Sequence, residues 1–462
     1  MYRGELSDMP QLPKDLAETQ PSATNLEALV TSLEPQVAAV LNRALEGHDI
    51  SVEDATVLFD TSGMAYHAMV MVADELRRRT VGDVATYVVN RNINFTNVCI
   101  KRCGFCAFSR DYRQEEGYFL PVEEVVRRAK EAQDYGATEV CVQAGLPPQM
   151  EGDLYIRLCE ILKSELPDMH IHGFSPEEVL YGSIRSRCTI REYLQGLKAA
   201  GVGSLPGTSA EILDQELRDR ISPGRIRVDQ WTEVITTAHE LGIPTTSTVM
   251  FGHVETNLQI ARHIALLREI QQSTGGFTEF VPLSFVSSEA PMFLKNLVDG
   301  VRSGPTGMDV IKVHAIARIM LNNWIPNIQA SWVKEGSRMS QLLLTAGVND
   351  LGGTLINESI STSAGAQHGQ LMRPTEFRQM IRQAGRIPAE RYTTYAIRRV
   401  FGEADEELDP LDLVGDNVEE LFGSYKLLVQ MDTFRFQHPK NTKPGASPEE
   451  NVAATASTPN SA

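Results

Sequence analysis

NINFTNVCIKRCGFCAFSR, residues 92–110, decides the fold. It carries three cysteines, Cys99, Cys103 and Cys106, spaced C-x3-C-x2-C, with the aromatic Phe105 directly before the last. Three thiolates at that spacing can hold three corners of a 4Fe–4S cube and leave the fourth iron without a protein ligand. An iron with an open position can act on a bound molecule, whereas a fully ligated cluster mostly passes electrons. Other thiol chemistries fit less well. A structural zinc site takes four ligands, usually as two separated pairs, and no second C-x2-C pair occurs. A c-type haem needs His after C-x-x-C, where Ala107 stands. A thioredoxin-like pair leaves Cys99 idle. A ferredoxin-type run wants a fourth nearby cysteine, and the next, Cys141, falls inside an apolar run that reads as a strand.

Outward from this loop the chain alternates strands and amphipathic helices. The expected strands are 85–93, 138–145, 169–174, 202–207, 245–252, 278–285, 327–333 and 348–354. Between them Val122, Val125, Val126 and Ala129 share one helix face, and Leu154, Leu158, Ile161 and Leu162 share another. Gly136, Gly201 and Gly242 mark helix exits. The pattern predicts an α/β fold, a (β/α)8-type barrel, full or nearly full, with an N-terminal helical extension and a C-terminal appendage. The cysteines then lie in the first βα loop, on the face where barrel enzymes carry their active sites. Other strand ends collect there too, and Met250, Ser284, Ser331 and Lys334 are among the residues they bring.

The boundaries read from composition are 1–24 disordered, 25–84 a helical extension covering one end of the barrel, and 85–335 the core barrel. Residues 336–400 form its C-terminal part and pocket closure, 401–438 an acidic, solvated extension, and 439–462 a disordered tail. Net charge is −17, with 60 acidic against 43 basic residues, which disfavours nucleic acid or an anionic membrane as partner. No apolar run reaches a membrane span and the N-terminus has no signal-peptide core. Six cysteines in 462 residues do not suggest a disulfide scaffold. Cys141, Cys159 and Cys188 are read as ordinary buried residues, and a cytoplasmic location is expected.

The cysteine loop, together with FSPEEVL (174–180), SLPGTSAEIL (204–213), VMFGHVET (249–256), FVPLSF (280–285), QASWVKEG (329–336) and NDLGGTLINESISTSAGAQHG (349–369), resembles the radical S-adenosylmethionine (SAM) enzymes. Within them it resembles the 4-hydroxyphenyl transferases of deazaflavin (FO) biosynthesis, the tyrosine-acting subunit of FO synthase. The resemblance implies a 4Fe–4S cluster whose open iron chelates SAM, and an external one-electron donor whose electron cleaves SAM to a 5′-deoxyadenosyl radical. Hydrogen abstraction from L-tyrosine then breaks its Cα–Cβ bond, and the 4-hydroxybenzyl group passes to 5-amino-6-(D-ribitylamino)uracil. A second radical SAM protein, the ring-closing FO synthase subunit, would act next. Aminofutalosine synthase, or the related cyclase of menaquinone biosynthesis, is the alternative, and NDLGGTLINESIS favours the deazaflavin enzyme.

The same resemblance makes Cys99, Cys103 and Cys106 the cluster ligands and Phe105 a shield and SAM contact. It places Gln143 and Gly145 in the segment that receives the SAM amino group, where Ala144 departs from the usual second glycine. Ser175 and Glu211 are further cofactor contacts. His172 and His253 are candidates for catalysis or substrate binding, and Asp350 and Glu358 for charge-assisted bonds to substrate. His170 and His172 share a strand face, but no third ligand accompanies them, so a metal role is not assigned.

Overall fold

The computed structural model describes residues 23–402 and 407–438; the expectations for 1–22, 403–406 and 439–462 lie outside these. The first predicted strand is divided into β1 (Val84–Val88) and β2 (Asn90–Ile93). It is followed by β3 (Glu139–Val142), β4 (His170–Gly173), β5 (Thr245–Phe251), β6 (Phe277–Ser284), β7 (Asp350–Gly353), β8 (Ile387–Arg391) and β9 (Ile397–Val400). All barrel pairings are parallel, with helices between the strands, as βαβ connectivity requires.

The ring closes. β2 pairs with β3 and β3 with β4, His172 bridges Ser204, and Leu205 bridges Thr245 at the start of β5. β5 pairs with β6, Phe280 bridges Ile328, Gln329 bridges Asp350, and β7 returns to β1 through Thr86↔Asp350 and Val88↔Gly353. The barrel is therefore full, but two of the eight expected strands, 202–207 and 327–333, are held by single bridges rather than ladders.

The split at Val89 has a topological cause. Along one edge Val84–Tyr87 pair with Ile387–Glu390 of β8, and Asn90–Ile93 pair with Glu139–Val142 of β3. One strand thus hands its edge from β8 to β3 half way along. β8 and the antiparallel β9 are elements that the sequence pattern did not reveal.

Their turn fills the barrel from below. Arg391 grips Asp350 through Nε–Oδ2 (2.6 Å) and Nη2–Oδ1 (3.0 Å) and lies 4.1 Å from the Tyr395 ring centroid. The Tyr395 hydroxyl donates to Glu279, which also accepts from Gln329 at 2.8 Å. Asn90 donates to Glu139 at 2.8 Å, and His172 Nδ1 meets Ser204 at 2.7 Å. All these side chains but Gln329 and Tyr395 are buried, so the barrel interior below the mouth is a polar network rather than an oil drop.

The N-terminal helices Val52–Phe59 and Gly63–Val81 pack against the outer helices Asn257–Thr274 and Gly307–Leu321. Asp49 reaches round to Asn323 and Trp324. The extension therefore covers a flank of the barrel as well as the turn at its N-terminal end.

At the other terminus, residues 407–438 lie against the barrel. Arg378 pairs with Asp409 and Asp412, and Asp412 is only 2 % exposed. The acidic stretch thus spends part of its charge on a buried arginine instead of on solvent. Farther on, Phe436 N donates to Gly117 O (2.8 Å) and Phe119 N to Phe434 O (2.8 Å). The Tyr425 hydroxyl sits 3.4 Å from Asn97 and 3.3 Å from Phe108 O. This terminal segment straps the cysteine loop.

Candidate active site

The loop after β2 is held on several sides before any ligand is considered. Cys99 N donates to Arg110 O (3.0 Å), Ile100 N to Leu146 O (2.8 Å), and Gly104 N to Ile221 O (2.8 Å). Met292 N donates to Gly104 O (2.7 Å). Pinned at these points, the loop turns Cys99, Cys103, Phe105 and Cys106 into one cavity of about 1300 Å3, counting the space at its open mouth. Leu146, Met250, Leu283, Phe285, Val286 and Ile360 give that cavity apolar walls. Lys101, Glu177, Glu178, Glu211, Arg225 and Lys334 bring charge to it.

All three thiols are free. Burial pushes Cys103 up to about 12, against the pull of Arg225, and raises Cys99 as well. Cys106 adds to the shift of both, so the three feel one another across the cavity. Among the described residues no three His, Cys, Asp or Glu side chains close round a single ion. Three half-buried sulfurs spread round one cavity instead suit a multi-iron cube, whose positive irons offset the charge of the thiolates. The donor set fits a 4Fe–4S cluster with one corner unclaimed.

Arg225, which sequence reasoning did not single out, organises one side. Its Nη1 donates to Cys103 Sγ at 3.1 Å and its Nη2 to Ser209 Oγ at 2.9 Å. Glu211 stands 3.2 Å and Glu177 3.6 Å from it, and the Phe105 ring centroid is 5.3 Å away. Burial opposes its charge, but Cys103, Glu211 and Glu177 outweigh that and hold it above its ordinary value.

Beside it, Ser209 and Glu211 adopt positive φ of 63° and 41°, costly for residues with a side chain. The buried Arg218 offsets this strain by donating to Ser209 O (2.9 Å) and Ile226 O (2.8 Å) and by pairing with Glu211 (3.3 Å). Neither arginine has a sequence signature: Arg225 acts on a cysteine far away in the chain, and Arg218, though near its partners in sequence, braces a non-repetitive loop mainly through backbone carbonyls.

The remaining predicted residues divide sharply. Gln143, Gly145, Ser175 and Glu211 line the cavity with Phe105. Gln143 Nε2 donates to Thr208 (2.7 Å). Gly145 is demanded by packing, since a Cβ there would meet Val98 O at 2.3 Å, and its N–H is spent on Thr96 O (2.8 Å). The N–H beside it, on Ala144, is taken by Glu178 (2.9 Å). Ser175 caps the helix Pro176–Ser186 in a reciprocal box with Glu178. Burial raises Glu178 to about 7 despite the donors from Ser175 and Ala144.

His172, His253, Asp350 and Glu358 are not among the lining residues. His172 belongs to the interior network below and is pulled down to about 4 by burial. His253 donates Nε2–H to Met250 O (3.0 Å) and lies 3.2 Å from Glu255. Asp350 is the first residue of β7, opposite Thr86, far down the strand from its mouth end. Glu358 accepts from Ser361 N (2.8 Å) and Thr362 N (3.2 Å), capping the short helix Ile360–Ser363. Of the other strand-end residues, Met250, Ser284 and Lys334 reach the cavity.

A closed parallel barrel with a three-cysteine loop at its mouth defines the radical SAM class. Residues 93–267 match the Radical SAM superfamily, and residues 274–404 match the CofH/MqnC C-terminal region. Among solved structures, the chain superposes on the FeFe-hydrogenase maturase HydG of Carboxydothermus hydrogenoformans with TM-score 0.61 at 16% identity, covering 81% of this chain and 87% of that one. It superposes on methylornithine synthase (PylB) with TM-score 0.58 at 18% identity, covering 76% and 97%. At such identities these likenesses establish the fold alone.

Curated relatives are closer. The chain is 47% identical over 369 residues to the 5-amino-6-(D-ribitylamino)uracil–L-tyrosine 4-hydroxyphenyl transferase of Methanopyrus kandleri, covering 80% of this chain and 98% of that protein. It is 47% identical over 355 residues to the protein of the same name from Methanocaldococcus jannaschii, covering 76% and 97%. The chain belongs to this family of radical SAM transferases.

Proposed function

We propose that the protein transfers the 4-hydroxybenzyl group of L-tyrosine to 5-amino-6-(D-ribitylamino)uracil, a step towards a deazaflavin. The observation that carries this reading is the 47% identity extending over 98% of a relative of that name. Cys99, Cys103 and Cys106 would hold the cluster, with SAM against its unclaimed corner. When bound, the pair supplies one-electron cleavage of SAM and, with it, a carbon radical able to abstract hydrogen.

The chain's own contribution is containment and position. The apolar walls at Leu146, Leu283, Phe285 and Val286 exclude water from the cavity. Phe105 and Arg225 fix the Cys103 side, and the Arg218-braced loop sets Glu211. Gln143 and Ser175 shape the wall nearest the second and third strands.

The electron comes from an external one-electron donor, and the product goes on to the ring-closing radical SAM subunit of FO synthase. A cytoplasmic setting suits six free cysteines. Among the described residues no helix is long and apolar enough to cross a membrane.

The test is anaerobic incubation of reconstituted protein with SAM, dithionite, L-tyrosine and the ribitylaminouracil. The expected result is an adduct heavier than the uracil by one hydroxybenzyl group, with 5′-deoxyadenosine and glyoxylate derived from the tyrosine backbone. Turnover of aminofutalosine-type substrates instead, with no adduct, would overturn the reading.

A further inference from the structure

The proposed reaction, on which this inference rests, brings two carboxylates into one cavity: that of SAM and that of L-tyrosine. Three cations line the cavity: Lys101, Arg225 and Lys334. Lys101 is engaged by Glu177 (3.0 Å) and Gly224 O (2.6 Å). Arg225 is engaged by Cys103, Ser209, Glu211 and Glu177.

Lys334 differs. Among the described residues none lies within hydrogen-bond or ion-pair distance of its Nζ, so the ammonium keeps three unspent donors toward the cavity. The nearby carboxylates are committed elsewhere: Glu335 accepts from Ser284 Oγ at 2.5 Å, and Glu358 caps the helix Ile360–Ser363. Desolvation lowers Lys334 below its ordinary value, and the charges of Glu358 and Glu335 offset this in part without touching the ammonium. Lys334 is half-buried, and a partly desolvated cation with no direct partner carries a cost that is recovered when an anion arrives.

The local fold aims Lys334 deliberately. It stands on the turn Trp332–Glu335, fixed at one end by Trp332 Nε1 donating to Gly353 O (2.8 Å). At the other end Gly336 breaks the helix at φ 73°, where a Cβ would meet the His368 ring at 2.8 Å. Arg225 follows the fourth strand of the ring and Lys334 the seventh, so the two cations face the cavity from well-separated positions. Arg225 contacts a cluster cysteine and belongs to the cofactor side.

We infer that Lys334 binds the carboxylate of L-tyrosine by charge-assisted hydrogen bonds, fixing the amino-acid end of the substrate while the phenol points away. It is a substrate-binding residue that also determines specificity, separating amino acid from amine.

The test compares equilibrium binding of L-tyrosine, of tyramine (the same molecule without its carboxylate) and of SAM to the reconstituted holoenzyme. Removing a charged hydrogen-bond partner costs a factor of about 10 to 100 in affinity. The wild type is expected to prefer L-tyrosine to tyramine by that factor. Lys334→Gln is expected to lose the preference while binding tyramine and SAM within about twofold of wild type, and Lys334→Arg to retain most of it. Wild-type iron content and SAM affinity certify the fold of each variant, and Lys334→Met replaces the glutamine variant if that one does not retain iron. Unchanged L-tyrosine affinity in the variants, or loss confined to SAM, overturns the assignment. A wild-type enzyme that binds neither L-tyrosine nor tyramine contradicts the transferase reading instead, which is a separate failure.

Discussion

Replacing Arg391 by Met should unfasten the base of the barrel. The guanidinium is 3% exposed and Asp350 fully buried, joined by two bonds of 2.6 and 3.0 Å, with Glu279 3.7 Å away and the Tyr395 ring at 4.1 Å. Without Arg391, Asp350 keeps only Thr86 Oγ1 (2.5 Å) and Gly352 N–H (2.7 Å), and Glu279 keeps Tyr395 and Gln329. Two buried carboxylates would then share a site without a cation. Breaking a buried pair in this way costs about 3–5 kcal/mol.

Asp350→Asn costs less, because Glu279 remains within reach of Arg391, and the double variant recovers part of the loss. The coupling should therefore be about 1–3 kcal/mol. The readout is hydrogen exchange by mass spectrometry over Val84–Val88, Asp350–Gly353 and Ile387–Arg391, which reports the opening of β1, β7 and β8 without requiring two-state unfolding. Protection within about 1 kcal/mol of wild type in Arg391→Met, or strictly additive effects in the double variant, would refute the reasoning. A rise in KM with unchanged exchange in Asp350→Asn would return Asp350 to a substrate role.

Burial holds Glu178 at about 7 in the folded protein against 4.5 ordinarily. The folded state therefore keeps a proton that the unfolded state has lost between those values. Its contribution to stability is full below about pH 4.5 and is lost as pH rises through 7, by up to about 3 kcal/mol. The stability difference between wild type and Glu178→Gln should fall accordingly from pH 5 to 8 in denaturant melts, and parallel curves would refute this. Gly145→Ala would drive a methyl into Val98 O and should cost about 1–3 kcal/mol, seen as a lower Tm and reduced iron uptake by the adjoining cysteine loop. Truncation after Gly423 removes Tyr425 and the Phe434–Phe436 strap, and should raise hydrogen exchange across residues 95–119 and hasten cluster loss in air; exchange identical to the full chain would show the strap to be idle.

What the sequence disclosed depended on which contacts were local. The cysteine loop and six of the strands announce themselves, because apolar runs and helix spacing are short-range patterns. β8 does not: IPAER carries a proline and two charges, and these are buried only because Asp350 and Glu279 meet Arg391 on one face and Arg398 meets Glu390 on the other. Asp350 and His172 looked like mouth residues because each stands in a strand near functional-looking neighbours. The register instead puts Asp350 opposite Thr86, and the Ser204 contact holds His172 in the interior. Glu358 and Ser175 are helix caps, a role that Ser and Glu at these spacings serve as readily as catalysis. The residues on the cavity wall were legible as strand ends, but Arg225 was hidden by its distance along the chain from Cys103, and Arg218 because it braces an irregular loop through backbone carbonyls.

The claim beneath all of this is that three sulfurs hold a cube whose fourth corner is kept for SAM. Low-temperature EPR of the anaerobic, dithionite-reduced protein, recorded with and without SAM, tests it most directly. The account predicts a single 4Fe–4S signal that changes on SAM addition and is absent from the Cys99→Ala, Cys103→Ala and Cys106→Ala variants. A signal indifferent to SAM, or one that survives loss of these cysteines, would contradict it.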